Sequence, residues 1–348
     1  MWQVKAVQFE QFQGPLTLVD RPMPKPRPHG VVIKVSATGL CRSDWHGWQG
    51  HDPDIATFPH VPGHEFAGVV HEIGSLITKV KVGDRVTVPF VCGCSECADC
   101  LAGNAQVCRF QWQPGFSGPG SFAEYVAIPH ADFNVVQLPD NINFDTAASL
   151  GCRFATSYRA LVGVAGIKPQ QSVAVFGCGG VGLAAIMIAK SLGARVIAID
   201  PSHRALDFAR LAGADARVDA QFDEVIKDVR SFGGTGVDVT VDAIGSIEVV
   251  HNAIASLRVQ GTHVQIGLLP PEVIGDKSSV PMHLVIGREL TIHGSHGMAA
   301  VDYPDMLAQI SKGYLRPELL VDRIISLANV PEALANLGTN PGITIIHP

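Results

Sequence analysis

Val173-Ala-Val-Phe-Gly177-Cys-Gly179-Gly180-Val181-Gly182 reads as an apolar strand that runs into a glycine turn and then a helix. Glycines at this spacing are weak evidence alone, but here an apolar run precedes them and a helical pattern, Val181–Leu192, follows. Gly177 allows the tight turn, Gly179 lets backbone approach a pyrophosphate, and Gly182 lets the helix pack close to the strand. Gly180 and Val181 open that helix, where free N–H groups and the helix dipole favour an anion. About twenty residues on, Ala194-Arg-Val-Ile-Ala-Ile-Asp200 is a second strand ending in an acid. A carboxylate there accepts hydrogen bonds from ribose hydroxyls and repels a 2′-phosphate, which favours NAD(H) over NADP(H). Arg204 lies slightly further on and weakens that discrimination. Cys178 holds a variable turn position and is assigned no chemistry.

Working outward, apolar runs alternate with helical patterns from about residue 155. Val173–Phe176, Arg195–Ile199, Val237–Val241 and Thr262–Ile266 read as buried parallel strands. Val181–Leu192, Ala205–Ala212 and Ile247–Leu257 read as crossover helices, and a further helix is expected near Tyr303–Lys312. The fold class is therefore α/β, with a doubly wound parallel sheet. Before residue 150 the chain is rich in Val, Gly and Pro. Short alternating runs (Val31–Val35, Gly68–Ile73, Arg85–Pro89, Ala123–Ile128) point to a β-rich domain. Pro22, Pro24, Pro26 and Pro28 exclude helix or central strand over their stretch.

Within this first part, Cys94-x2-Cys97-x2-Cys100-x7-Cys108 places four soft donors in one short loop, enough to close a tetrahedral shell around zinc. The competing reading is a disulfide knot. Eight cysteines in 348 residues is ordinary usage, five of them fall between Cys92 and Cys108, and x2 spacing is short for an unstrained bridge, so a metal is favoured. Cys92 is off register and reads as a spectator.

The formal charge of −6 and the absence of a basic stripe argue against a nucleic-acid partner or a zinc ribbon that binds one. Val173–Ala189 is the longest apolar stretch, but its glycines and strand–turn–helix rhythm argue against a membrane span. The opening MWQVKAVQFE alternates like a strand rather than a signal segment, and with its free-thiol economy the chain is expected in a reducing, cytoplasmic setting.

Gly39-Leu-Cys41-Arg42-Ser43-Asp44-Trp45-His46, Gly63-His64-Glu65-Phe-Ala-Gly68 and Gly151-Cys152, together with the cysteine loop and the glycine turn, occur in one order along the chain. In that order they resemble the zinc-dependent alcohol dehydrogenases of the medium-chain dehydrogenase/reductase superfamily. A lone Cys or His is more often a packed residue than a ligand; it is the combination that carries the resemblance. It implies a GroES-like catalytic domain over 1–152 and 295–348 and a Rossmann dinucleotide-binding domain over 153–294. It implies two zinc ions per subunit. Cys94, Cys97, Cys100 and Cys108 would hold the structural one. Cys41, His64 and Cys152 would hold the catalytic one, in the Cys2His set known for alcohol dehydrogenases. Glu65 is expected beside that metal, exchanging with water as a fourth ligand, and Asp44 is expected to orient His64. Ser43 and His46 match the family's proton relay, Arg42 a contact to the cofactor pyrophosphate, and Thr156 a position near the nicotinamide. Ala243, Gly267 and Leu268 are expected beside the cofactor as well.

The implied chemistry is reversible, NAD-dependent oxidation of primary or secondary alcohols to aldehydes or ketones, with zinc polarising the oxygen and Ser43 and His46 carrying the proton away. Two alternatives remain: a polyol or amino-alcohol dehydrogenase of the same superfamily, or a non-catalytic NAD(H)-binding relative. The former usually carries a carboxylate where Cys152 stands, and the latter tends to lose ligands that this chain keeps. Two departures stand out. The C-terminal Gly342-Ile-Thr-Ile-Ile-His-Pro348 lacks the family's basic residue, and Arg153 puts a large cation where many relatives have a small residue. Trp45, Trp48, Phe90 and Phe116 are candidates for an aromatic wall near the metal. A homodimer or homotetramer is expected, with Leu290–His293 offering a strand edge.

Overall fold

A computed structural model describes residues 2–221, 224–269, 280–338 and 341–348. They form two compact units, Met1–Ala155 with Gly297–Gly313 and Val321–Pro348, and Thr156–His296 with Tyr314–Leu320.

The second unit is built on a six-stranded sheet in the order Ala216–Asp219, Arg195–Asp200, Ser172–Phe176, Val237–Asp242, Leu257–Gln265, Thr291–Gly294, parallel throughout. Counted along the chain this is 3-2-1-4-5-6, the doubly wound order whose switch point lies between the first and fourth strands. Ser172–Phe176 is buried at every position, as expected of a strand covered on both faces. The stretch Val173–Ala189 divides into this strand and the helix Gly180–Ser191. No helix among the described residues is long and apolar enough to cross a membrane. The short strand Ala216–Asp219 and the helix Val225–Phe232 were not expected from the sequence, and Leu257 begins a strand rather than ending a helix. Thr291–Gly294 is an edge strand, with Ala216–Asp219 at the opposite edge. Tyr314–Leu320, expected with the catalytic domain, belongs to this unit, where the Arg316 N–H donates to Met187 Sδ at 3.4 Å.

The first unit is organised around Val31–Leu40, a ten-residue strand paired antiparallel with Glu65–Ile73, Tyr125–Ile128 and Ile343–His347. Its central place explains why it is buried nearly throughout instead of alternating. Val31, Ile33, Val35, Phe66, Val70, Val86, Val126 and Ile128 make one apolar cluster, each full burial contributing roughly 1.5–3 kcal/mol. The pairing Gly39↔Glu65 positions the candidate site. It brings the end of one strand, just before Cys41, beside the start of its neighbour, just after His64. Cys152 arrives separately, on the π-helical turn Leu150–Phe154, a kind of turn often found at functional positions.

Candidate metal centre and dinucleotide site

In the first unit one donor atom each from Cys41, His64 and Cys152 lies within 4.8 Å of the others. Cys41 caps the helix Arg42–Gln49, and its backbone N–H donates to Asp44 Oδ2 at 2.9 Å. The other oxygen, Asp44 Oδ1, accepts from Gly63 N–H at 3.0 Å and from His64 Nδ1 at 2.9 Å. A carboxylate only accepts, so Nδ1 carries a ring proton and Nε2 is the nitrogen left to face the two thiols. Nε2 is buried and has no hydrogen-bond partner among the described residues. A buried imidazole nitrogen converging with two thiols is a Cys2His donor set, which fits zinc. The two thiols behave as a pair sharing a proton. The bond from Cys152 leads in holding Cys41 well below the usual thiol range, and the same bond leads in raising Cys152. Phe90 and Phe116 flank the His64 ring at centroid distances of 6.1 and 5.1 Å.

Glu65, expected as an exchanging fourth ligand, is not among the converging donors. Its Oε1 accepts the backbone N–H groups of Cys152 at 3.0 Å and Arg153 at 2.8 Å. Its Oε2 pairs with the Arg153 guanidinium. Burial pushes the Glu65 carboxyl up, and the Arg153 charge pulls it back down. The carboxylate is thus satisfied by other partners.

Ser43 Oγ lies 3.9 Å from Cys41 Sγ. His46, one helical turn on, meets His51 Nδ1 to Nδ1 at 3.0 Å. Burial, then the His51 charge, pulls the His46 imidazole below its ordinary value. His51 went unnoticed in the sequence, where an exposed histidine beyond the helix carries no signal. Arg42 is exposed, donates to Leu337 O at 3.1 Å and stacks 5.4 Å from the Trp45 ring.

A second group of donors, Cys94, Cys97, Cys100 and Cys108, also gathers within 4.8 Å. All eight cysteines are free. The Cys94–Cys100 and Cys97–Cys108 sulfurs are 3.9 and 3.6 Å apart. That is far beyond a disulfide bond and close to the edge of about 3.8 Å expected of a tetrahedron with Zn–S near 2.3 Å. Backbone N–H groups already point at the sulfurs, Cys97 N–H at Cys94 (3.4 Å) and Phe110 N–H at Cys108 (3.3 Å). The bonds from Glu96 and Cys97 bring the Cys94 thiol down to about 7. Cys92 is buried, donates to Pro89 O, and is pushed up by burial.

In the second unit Gly177 has φ +92°, and a Cβ on Gly182 would stand 1.7 Å from Gly177 O, so the turn closes only with glycine at both positions. A Cβ on Gly179 would meet nothing within 4 Å. That open space lies at the N-terminus of the twelve-residue helix Gly180–Ser191 and fits the approach of a pyrophosphate. Asp200 accepts Cys178 N–H at 2.7 Å and Ser202 N–H at 2.8 Å. Ala243 and Gly267 follow the neighbouring strands, bonded to Phe176 O and Asp242 O at 2.9 Å each, and Leu268 is exposed. Asp242, which sequence reasoning passed over, anchors this rim by accepting from Ile244 and Gly245 N–H and from Gln265 Nε2. Thr156 is buried in this unit, and Arg204 is exposed on the helix His203–Leu211.

The chain is similar to known proteins over most of its length. Residues 27–140 match the alcohol dehydrogenase GroES-like domain and residues 180–312 the zinc-binding dehydrogenase domain. An alcohol dehydrogenase of Geobacillus stearothermophilus is 37% identical over 78% of this chain and 79% of its own length. A D-xylulose reductase A of Aspergillus niger is 33% identical over 93% of this chain and 91% of its own. A chain of Sinorhizobium meliloti 1021 assigned to the zinc-binding dehydrogenases, solved with NADP bound, superposes with TM-score 0.90 at 28% identity, covering 100% of both.

Proposed function

Because this chain belongs to the zinc-dependent alcohol dehydrogenases of the medium-chain dehydrogenase/reductase superfamily, we propose that it oxidises primary or secondary alcohols reversibly to aldehydes or ketones with NAD. The observation that carries this reading is the buried triad Cys41, His64 and Cys152 with its unpartnered imidazole nitrogen. Held there, zinc supplies a Lewis acid for the alcohol oxygen, and the nicotinamide supplies the hydride acceptor.

The chain's own groups do the rest. Asp44 fixes the His64 tautomer through the 2.9 Å bond to Nδ1. Ser43 is the first stop for the alcohol proton and His46 the second. His46 suits that role because its lowered pKa keeps it a free base at neutral pH. Phe90 and Phe116 make the surroundings of His64 apolar, which favours alcohols with an apolar body. The loop Cys94–Cys108 would hold a second, structural zinc. Gly177, Gly179, Gly180, Val181 and Gly182 would cradle the pyrophosphate, and Asp200 would take the ribose hydroxyls. Thr156, Ala243, Gly267 and Leu268 line the cofactor. We place the working protein in the cytoplasm, as a homodimer or homotetramer.

A polyol substrate is the second reading, favoured by the likeness to the A. niger D-xylulose reductase. A substrate panel on zinc-analysed protein, read by NADH absorbance and spanning simple alcohols, aromatic alcohols, xylitol and vicinal diols, separates the two. In the same assay Cys41→Ala or His64→Ala is expected to abolish turnover while NAD still binds. Turnover retained by either variant would refute the assignment.

A further inference from the structure

Arg153 follows the ligand Cys152, Glu65 follows the ligand His64, and Leu40 precedes the ligand Cys41. These three neighbours are joined to one another. The Arg153 guanidinium pairs through Nη2 with Glu65 Oε2 and donates from Nη1 to Leu40 O at 3.1 Å. Glu65 Oε1 closes the arrangement on the backbone N–H groups of Cys152 and Arg153. The strand end, the neighbouring strand start and the π-helical turn that carry the three donors are therefore tied by one side-chain pair. The side chains of the pair are 8% and 0% exposed. The fold makes room for it. A Cβ on Gly39 would stand 2.9 Å from both Arg153 Nη2 and Glu65 Oε2, and one on Gly151 would stand 3.1 Å from Glu65 Cα.

A buried ion pair contributes little net stability, because desolvation offsets the attraction. Its forked geometry does fix position, since a guanidinium holds two acceptors in one plane. We propose that Arg153 is a positioning residue of the metal centre: through Glu65 and Leu40 it holds the three ligand-bearing segments in register and keeps the Glu65 carboxylate out of the metal's coordination. This rests on the reading of Cys41, His64 and Cys152 as metal ligands.

The test uses zinc-loaded and cobalt-substituted full-length protein. Metal release to a chromogenic chelator is timed, with Cys41→Ala as the blank for metal held by the cysteine loop. Arg153→Ala is expected to release metal about 10- to 100-fold faster. Its cobalt d–d bands should weaken towards a five-coordinate pattern as the freed Glu65 joins the metal. Adding Glu65→Gln should restore the four-coordinate bands but not the slow release. Arg153→Lys keeps the charge but loses the fork, so it should keep the bands and still release faster than the parent. Wild-type bands together with release within twofold of the parent in Arg153→Ala would overturn the proposal. Should Arg153→Ala fail to fold, unchanged release in Arg153→Lys overturns it instead. If the parent protein takes up no more metal than Cys41→Ala, the ligand assignment itself fails, and this inference falls with it.

Discussion

Asp44 accepts the Nδ1–H of His64 at 2.9 Å while also accepting the backbone N–H groups of Cys41 and Gly63. One fully buried carboxylate thus orients one proposed metal ligand and holds the backbone of another. Asp44→Ala removes all three bonds. We expect metal affinity to fall about 10- to 100-fold and stability to fall by about 1–3 kcal/mol for each N–H left buried without an acceptor. Chelator competition and urea unfolding measure the two effects. An unchanged metal affinity would leave Asp44 a purely structural residue.

The cysteine loop makes a different prediction. Its four sulfurs close on one another and form their own small cluster with Ala105 and Ala299. Cys97→Ala should lower the melting temperature by about 5 °C or more, since binding energy at a closed zinc site is folding energy. Strong chelator should bring the parent protein to the same melting point. If melting holds and turnover alone drops, the loop is not structural.

Much of this was legible in the sequence because the signals are local. The glycine turn needs Gly177, Gly179 and Gly182 within six positions, and the cysteine loop needs its donors within fifteen. Buried parallel strands such as Ser172–Phe176 announce themselves as unbroken apolar runs. What escaped was either weak or distant. Ala216–Asp219 buries only Val218, so there was no run to see. Arg153 looked unaccountable because its partner stands 88 residues away, brought near only when the turn Leu150–Phe154 packs against the strand Glu65–Ile73. For the same reason Glu65 was expected on the metal: its position next to His64 was visible and its engagement by Arg153 was not.

On the proposed reading, cofactor choice turns on Asp200. Its carboxylate is held by Cys178 N–H and Ser202 N–H, which fixes a negative charge at the end of the strand Arg195–Asp200. The S. meliloti structure was solved with NADP, so the preference of this chain needs direct measurement. The parent should favour NAD in kcat/KM. Asp200→Ala should reduce the NAD:NADP ratio about tenfold, the equivalent of 1.4 kcal/mol. It should also weaken NAD binding, because the two N–H groups lose their acceptor. A ratio that does not move takes Asp200 out of the discrimination.

His46 and His51 make the pH prediction. With Nδ1 atoms 3.0 Å apart, one ring must donate and the other accept, so the pair holds a single bridging proton. In the proposed relay the useful form of His46 is the free base, so activity in alcohol oxidation should be lost as pH falls through its pKa. Burial leads in lowering that pKa, and repulsion from His51 adds to it. His51→Ala opens the site to water and removes the repulsion, and both changes raise the His46 pKa. The acid limb of the kcat profile should therefore move to higher pH, with activity at alkaline pH largely kept. His46→Ala should lower kcat across the range, with partial rescue by added imidazole as an external base. A His51→Ala profile that drops uniformly, with its acid limb unmoved, would show that His51 does not share the proton.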